Sequence, residues 1–159
     1  MNQTLQTLFG HHHWANLRLF DACIPLPESL PEASVPGTYG SIQDTLQHVV
    51  EMEETYLAAI QPGALASNAA ASNTVSDLRR RVDRSGQALI AFVREVADDH
   101  QVEGTRGGHP FVLPVGIFLA QTITHAAEHR NQIATIVSRQ GVTPPIVDAW
   151  TYARDATPT

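Results

Sequence analysis

Proline and glycine clusters cut this chain into four long stretches, and neither a helix nor a strand runs easily through such cuts. The first stretch runs from about Asn2 to Cys23, with Leu5, Leu8, Phe9, His12, Leu19, Phe20 and Cys23 on a helical stripe. Pro25, Pro27, Pro31, Pro36 and Gly37 end it. The second opens at Gly40-Ser41, where Ser41 and Asp44 fit a capping pattern, and Pro62-Gly63 stops it. After an Ala/Ser/Asn-rich connection over 64–73, the third begins near Asn73-Thr74. Val75, Leu78, Val82, Leu89, Phe92, Val93 and Val96 give it the cleanest 3.6-residue period, and it ends near Asp98-Asp99. A glycine-rich loop follows, with Gly104, Gly107, Gly108 and Pro110. The fourth stretch starts at about Pro114 and stops at Gly141.

Four amphipathic helices of roughly 20 to 26 residues, each ~30 Å or longer, predict an all-α four-helix bundle. A short helical tail with Val147, Trp150 and Tyr152 closes the chain. Connections of about 15, 12 and 14 residues are long enough for crossovers and leave helix directions open. No β-branched run alternates at period two. The 159 residues, 43% of them hydrophobic, suit one domain spanning 1–159. No apolar stretch reaches a membrane span, and the first twenty residues carry no secretory pattern, so the expected location is cytoplasmic. Cys23 is the only cysteine, which excludes an intrachain disulfide. A net charge of −6, with every basic residue an arginine, argues against nucleic acid as a partner.

Eight histidines are many for such a chain. His125 and His129, in HAAEH on the fourth stretch, stand one turn apart and about 40° apart around the axis. Phe118 and Ile136 fall between them in angle, so both imidazoles point into the bundle. Two buried imidazoles need partners for their nitrogens, and a metal ion serves both. His48, in SIQDTLQHVVEMEETYL, lies on the shoulder of the second apolar stripe and can face a neighbouring helix. Three histidines with open positions form a catalytic type of ligand set for a divalent transition metal. Imidazole suits zinc, nickel, copper or iron, with zinc and nickel the leading candidates.

These motifs carry a resemblance. Trp14-Ala15-Asn16, the stretch around His48, HAAEHRNQI from His125 to Ile133, and the tail with Trp150 and Tyr152 occur in an order and spacing that resemble the DinB-like family (the DinB/YfiT superfamily). The resemblance implies an up-up-down-down bundle, metal ligands at His48, His125 and His129, and a homodimer. It also implies a metal-dependent transferase or hydrolase acting on a small molecule. A low-molecular-weight thiol or water would attack an electrophile at the metal. The alternative is a bundle of the same fold that binds metal or ligand, or dimerises, without turnover.

Neighbouring residues take more than one reading. Glu128 is a base or a solvated margin residue, and Gln132 shares the face of His125 and either orients a ligand or fills a helix contact. Among Glu51, Glu53 and Glu54, one is a candidate partner of the site and two are expected to face solvent. Arg130 is expected at the surface or an interface. Asn16 is expected to cap or cross-link helices, and Trp14 to lie in the core. His12 lies on the apolar stripe, with His11 and His13 expected at the surface. HAAEH also fits a protease pattern with Glu128 as base, but only Asp148 and Asp155 follow as acidic ligands. Arg79-Arg80-Arg81 with Arg84 reads as a solvated face, and GTRGGHP lacks the phosphate-loop lysine.

Overall fold

Residues 2–27, 30–65 and 73–156 are described by the computed structural model. Asn2 opens helix α1 (Gln3–Cys23), its side chain accepting from the Leu5 amide. Helix α2 (Ile42–Ile60) begins on a full capping box: Ser41 accepts from the Asp44 amide and Asp44 accepts from the Ser41 amide. Thr74 caps α3 (Val75–Glu95), which stops a few residues before the expected Asp98-Asp99. Helix α4 (Val115–Arg139) ends before Gly141, whose φ of 78° is the left-handed conformation that terminates helices. Helix α5 (Ala149–Ala156) packs Tyr152 against Trp14 and His11 of α1. Of the connection expected over 64–73, only 64, 65 and 73 lie within the described residues.

The four long helices form the expected bundle, with two buried apolar clusters stacked along its axis. Leu19, Phe20 and Cys23 of α1 meet Ile42, Leu46, Val49 and Val50 of α2, Leu78 and Val82 of α3, and Ile133, Ile136 and Val137 of α4. Phe9 meets Leu57 and Ile60, Leu89 and Val93, and Val115 and Leu119 at the other end. The late residues of α1 and α4 thus share a level with the early residues of α2 and α3. The helices therefore run up, down, down, up, not in the expected up-up-down-down order. Helices α2 and α3 are parallel: Gln43 reaches Asn73, and Glu53 reaches Ser85. The 14 positions from 61 to 74 span ~45 Å when extended, enough to return along one helix, so the long connection permits this crossover.

The glycine-rich segment is a β-hairpin, which the absence of period-two alternation did not foretell. Strands β1 (Gln101–Arg106) and β2 (His109–Pro114) pair antiparallel, with Arg106 opposite His109. Gly107 and Gly108 take φ of 58° and 82°, the positive pair that a tight two-residue hairpin turn requires. Only Val102 on β1 is buried, so alternation is nearly invisible in the sequence; the Gly-Gly dipeptide was the available signal. None of the helices among the described residues is long and apolar enough to cross a membrane.

Gly86 lets α1 and α3 approach. A Cβ there would fall 2.1 Å from Nδ1 of His13. Alanine normally stabilises a helix over glycine by about 1 kcal/mol. Here Gly86→Ala is expected to destabilise by about 1–3 kcal/mol through overpacking. In a His13→Ala background the same change should become stabilising, which a urea-unfolding double-mutant cycle reads directly.

Candidate metal centre

Antiparallel packing of α2 on α4 brings His48 level with the turn that carries His125 and His129. Nε2 of His125 lies 3.1 Å from Nε2 of His48 and 3.2 Å from Nε2 of His129. All three ligand atoms fall within 4.8 Å of one another. His129 is buried, while His48 and His125 are half-buried and open the cluster to solvent. The three residues picked out by helical spacing therefore share one locus.

The hydrogen bonds define the state of His129. Oε1 of Gln132 accepts from the Tyr39 amide at 3.0 Å, which identifies that atom as the amide oxygen. The same oxygen lies 3.0 Å from Nδ1 of His129, so Nδ1 carries the hydrogen and Nε2 presents a lone pair to the cluster. Gln132 thus orients a histidine, one of its two anticipated roles. Tyr39 stacks on His48 with ring centroids 4.1 Å apart and meets His129 edge-on at 5.3 Å. Tyr56 meets His125 edge-on at 5.9 Å. Neither tyrosine was singled out from the sequence. Tyr39 sits in a loop with no period to read, and a tyrosine inside a helical stretch, as Tyr56 is, reads by itself as a packing residue.

Burial and mutual proximity disfavour a proton on two of the rings. Burial, then the neighbouring His129 and His48, press the His125 value down to about 4, against an opposing pull from Glu128. Burial and His129 also lower His48, while Glu51 opposes. Glu128 and Glu51 are exposed. Three nitrogens held this close cannot all be satisfied by sharing protons among themselves. Two nitrogens each ~2.1 Å from one ion at tetrahedral or octahedral angles lie about 3.0–3.4 Å apart, so the observed spacing fits a shared metal.

Other anticipated residues resolve as follows. Arg130 is buried, contrary to the surface placement expected: its Nη1 donates to Oδ1 of Asn16 at 2.6 Å. Among the three glutamates, Glu53 is buried in the bundle interior, whereas Glu54 pairs with Arg81. His12 is fully buried against Glu53, and Asn16 cross-links α1 to α2 and α4. His13 is not a free surface residue but sits largely covered beside Asp83. Trp14 is half-buried under the tail, with Arg18 over its ring, outside both apolar clusters. The arginine run is neutralised by Asp21, Asp77, Asp83 and Glu54. Asp148 caps α5 and Asp155 pairs with Arg18, so neither joins the histidines as the protease pattern would need.

His13, His48 and His125 all bind a proton more weakly when folded than the ordinary 6.5, chiefly through burial. The native state is therefore favoured in full above that value and loses stability as pH falls toward 4. Metal-stripped protein should show a falling Tm across this window by circular dichroism, and His125→Gln should flatten the slope.

The chain matches the model of the DinB family over residues 1–159. No curated protein sequence matches it significantly. Among solved structures, YfiT from Bacillus subtilis aligns with a TM-score of 0.68, over 90% of this chain and 91% of its own, at 9% sequence identity. That protein is described as a probable metal-dependent hydrolase with an unusual four-helix bundle topology. At this identity the likeness concerns the fold. On the full-length family match, the chain belongs to the DinB family.

Proposed function

We propose that this protein is a metal-dependent hydrolase of a small molecule, with His48, His125 and His129 as the ligands of a divalent transition metal such as zinc or nickel. The observation that carries the reading is the convergence of three Nε2 atoms from two helices on one half-open locus. The description of YfiT as a probable metal-dependent hydrolase on the same fold supports hydrolysis. A metal held there would supply a Lewis acid that acidifies water, or a low-molecular-weight thiol, at neutral pH.

The chain's own groups have separable tasks. Gln132 holds the Nδ1 hydrogen of His129 and so commits Nε2 to the cluster. Tyr39 flanks one side of the cluster through its stack on His48. Glu128 lies at the exposed margin with its charge acting on His125, and is the carboxylate to which we assign removal of a proton from an attacking group. Tyr56 contributes a ring edge beside His125, and its hydroxyl meets the Gln121 side chain at 3.4 Å.

Protein purified without a nickel column should carry about one equivalent of metal by elemental analysis, and His125→Ala should carry almost none. Gln132→Leu should weaken metal affinity by about 10–100-fold while leaving the helix content unchanged. Metal-loaded protein should release product from a panel of small esters and amides; if turnover appears only when a thiol is added with an electrophile, thiol transfer is the reaction. A folded wild-type protein that takes up no zinc, nickel or cobalt would overturn the metal assignment.

A further inference from the structure

Between the two apolar clusters lies a buried polar layer to which every long helix contributes. The Glu53 carboxylate of α2 is 2% exposed. It accepts from His12 Nε2 at 2.7 Å and Asn16 Nδ2 at 3.0 Å, both on α1, and from Ser85 Oγ of α3. Asn16 turns its oxygen to Arg130 of α4, 6% exposed, so one amide bridges a buried cation to a buried anion. Only this orientation of the Asn16 amide gives both neighbours a correct partner. Burial lowers the Arg130 value to about 10, with Glu53 as the opposing charge. His12 Nε2 must donate to the carboxylate, which leaves its fully buried Nδ1 without a partner among the described residues.

Such a layer is a costly way to fill a core. Replacing a buried ion pair by apolar residues of similar size is often neutral or stabilising. Its geometric effect is specific: the Arg130–Asn16 bond ties α4 to α1, and Glu53 ties α2 to α1 and α3, so α1 links α2 to α4. Arg130 adjoins His129, and Glu53 lies on α2 between His48 and Tyr56, both of which meet His125 of α4. A small rotation of either helix would separate nitrogens that now sit 3.1–3.2 Å apart.

We infer that the layer of His12, Asn16, Glu53, Ser85 and Arg130 is the positioning element of the three-histidine cluster, holding α2 and α4 in the rotation that makes their imidazoles converge. This rests on the metal reading above and goes beyond it by assigning a role to residues that do not touch the metal. Arg130 and Glu53 are positioning residues in this account, acting through His129 and His48.

Cobalt(II) is the probe, because its visible ligand-field bands report coordination geometry directly. The test variant is Glu53→Gln with Arg130→Met, which removes both buried charges together and is expected to fold. It should bind cobalt at least about tenfold more weakly than wild type, with shifted or weakened bands, while circular dichroism and Tm show an intact bundle. Arg130→Lys keeps the cation but loses the guanidinium bond to the Asn16 oxygen, and should show a smaller loss of the same kind; it carries the test if the double variant does not fold. Folded variants that match wild type in cobalt affinity and spectrum would overturn the inference alone. A wild-type protein that takes up no cobalt would instead bring down the metal reading on which it rests.

Discussion

A carboxylate and a guanidinium sit inside this bundle, and neither can remain there without partners. Glu53 finds donors on α1 and α3, and Arg130 reaches it through the amide of Asn16. Hydrophobic burial is nearly indifferent to small rotations of a helix, because one methyl group can replace another at the contact. Hydrogen bonds to a buried charge are directional and do not allow that exchange. The polar layer therefore turns a generic bundle into one with a defined rotation for each helix.

The apolar clusters on either side supply the bulk of the stabilisation and fix which ends meet. Phe9 with Leu119 at one end, and Phe20 with Ile136 at the other, belong to clusters that place α1 and α4 in the same direction. Helix α2 runs opposite to α4, so His48 meets the His125–His129 turn instead of the far end of the bundle. The α2–α3 crossover and the Gly107-Gly108 hairpin are the connections that make this arrangement possible.

The bundle leaves polar atoms of its own facing one another at one place near its surface. The histidine nitrogens converge on the α2–α4 seam, with Gln132 behind them and Tyr39 alongside. The same burial that lowers His125 and His48 keeps their lone pairs available near neutrality. Full protection would exclude a ligand, and full exposure would let the rings protonate more easily. Two half-buried rings and one buried ring lie between those limits.

The helices, their caps at Ser41 and Thr74, and the shared face of His125 and His129 follow from local chemistry: a 3.6-residue period, a side-chain oxygen that accepts backbone hydrogens, and an i, i+4 spacing. Those features depend on neighbours within one turn and are legible in the order of residues. Arg130 and Glu53 were not legible in that way, because a charged residue on a helix normally points to water and only a partner from another helix reverses this. Helix direction, the pairing of α2 with α4, and the arrival of His48 beside the other two histidines depend on contacts between residues some 80 apart in the chain. The amino-acid order by itself determined the four rods and which of their faces seek burial. Which rods pair, in what direction and at what rotation was decided by the tertiary structure, since only there do buried charges and lone pairs from separate helices meet.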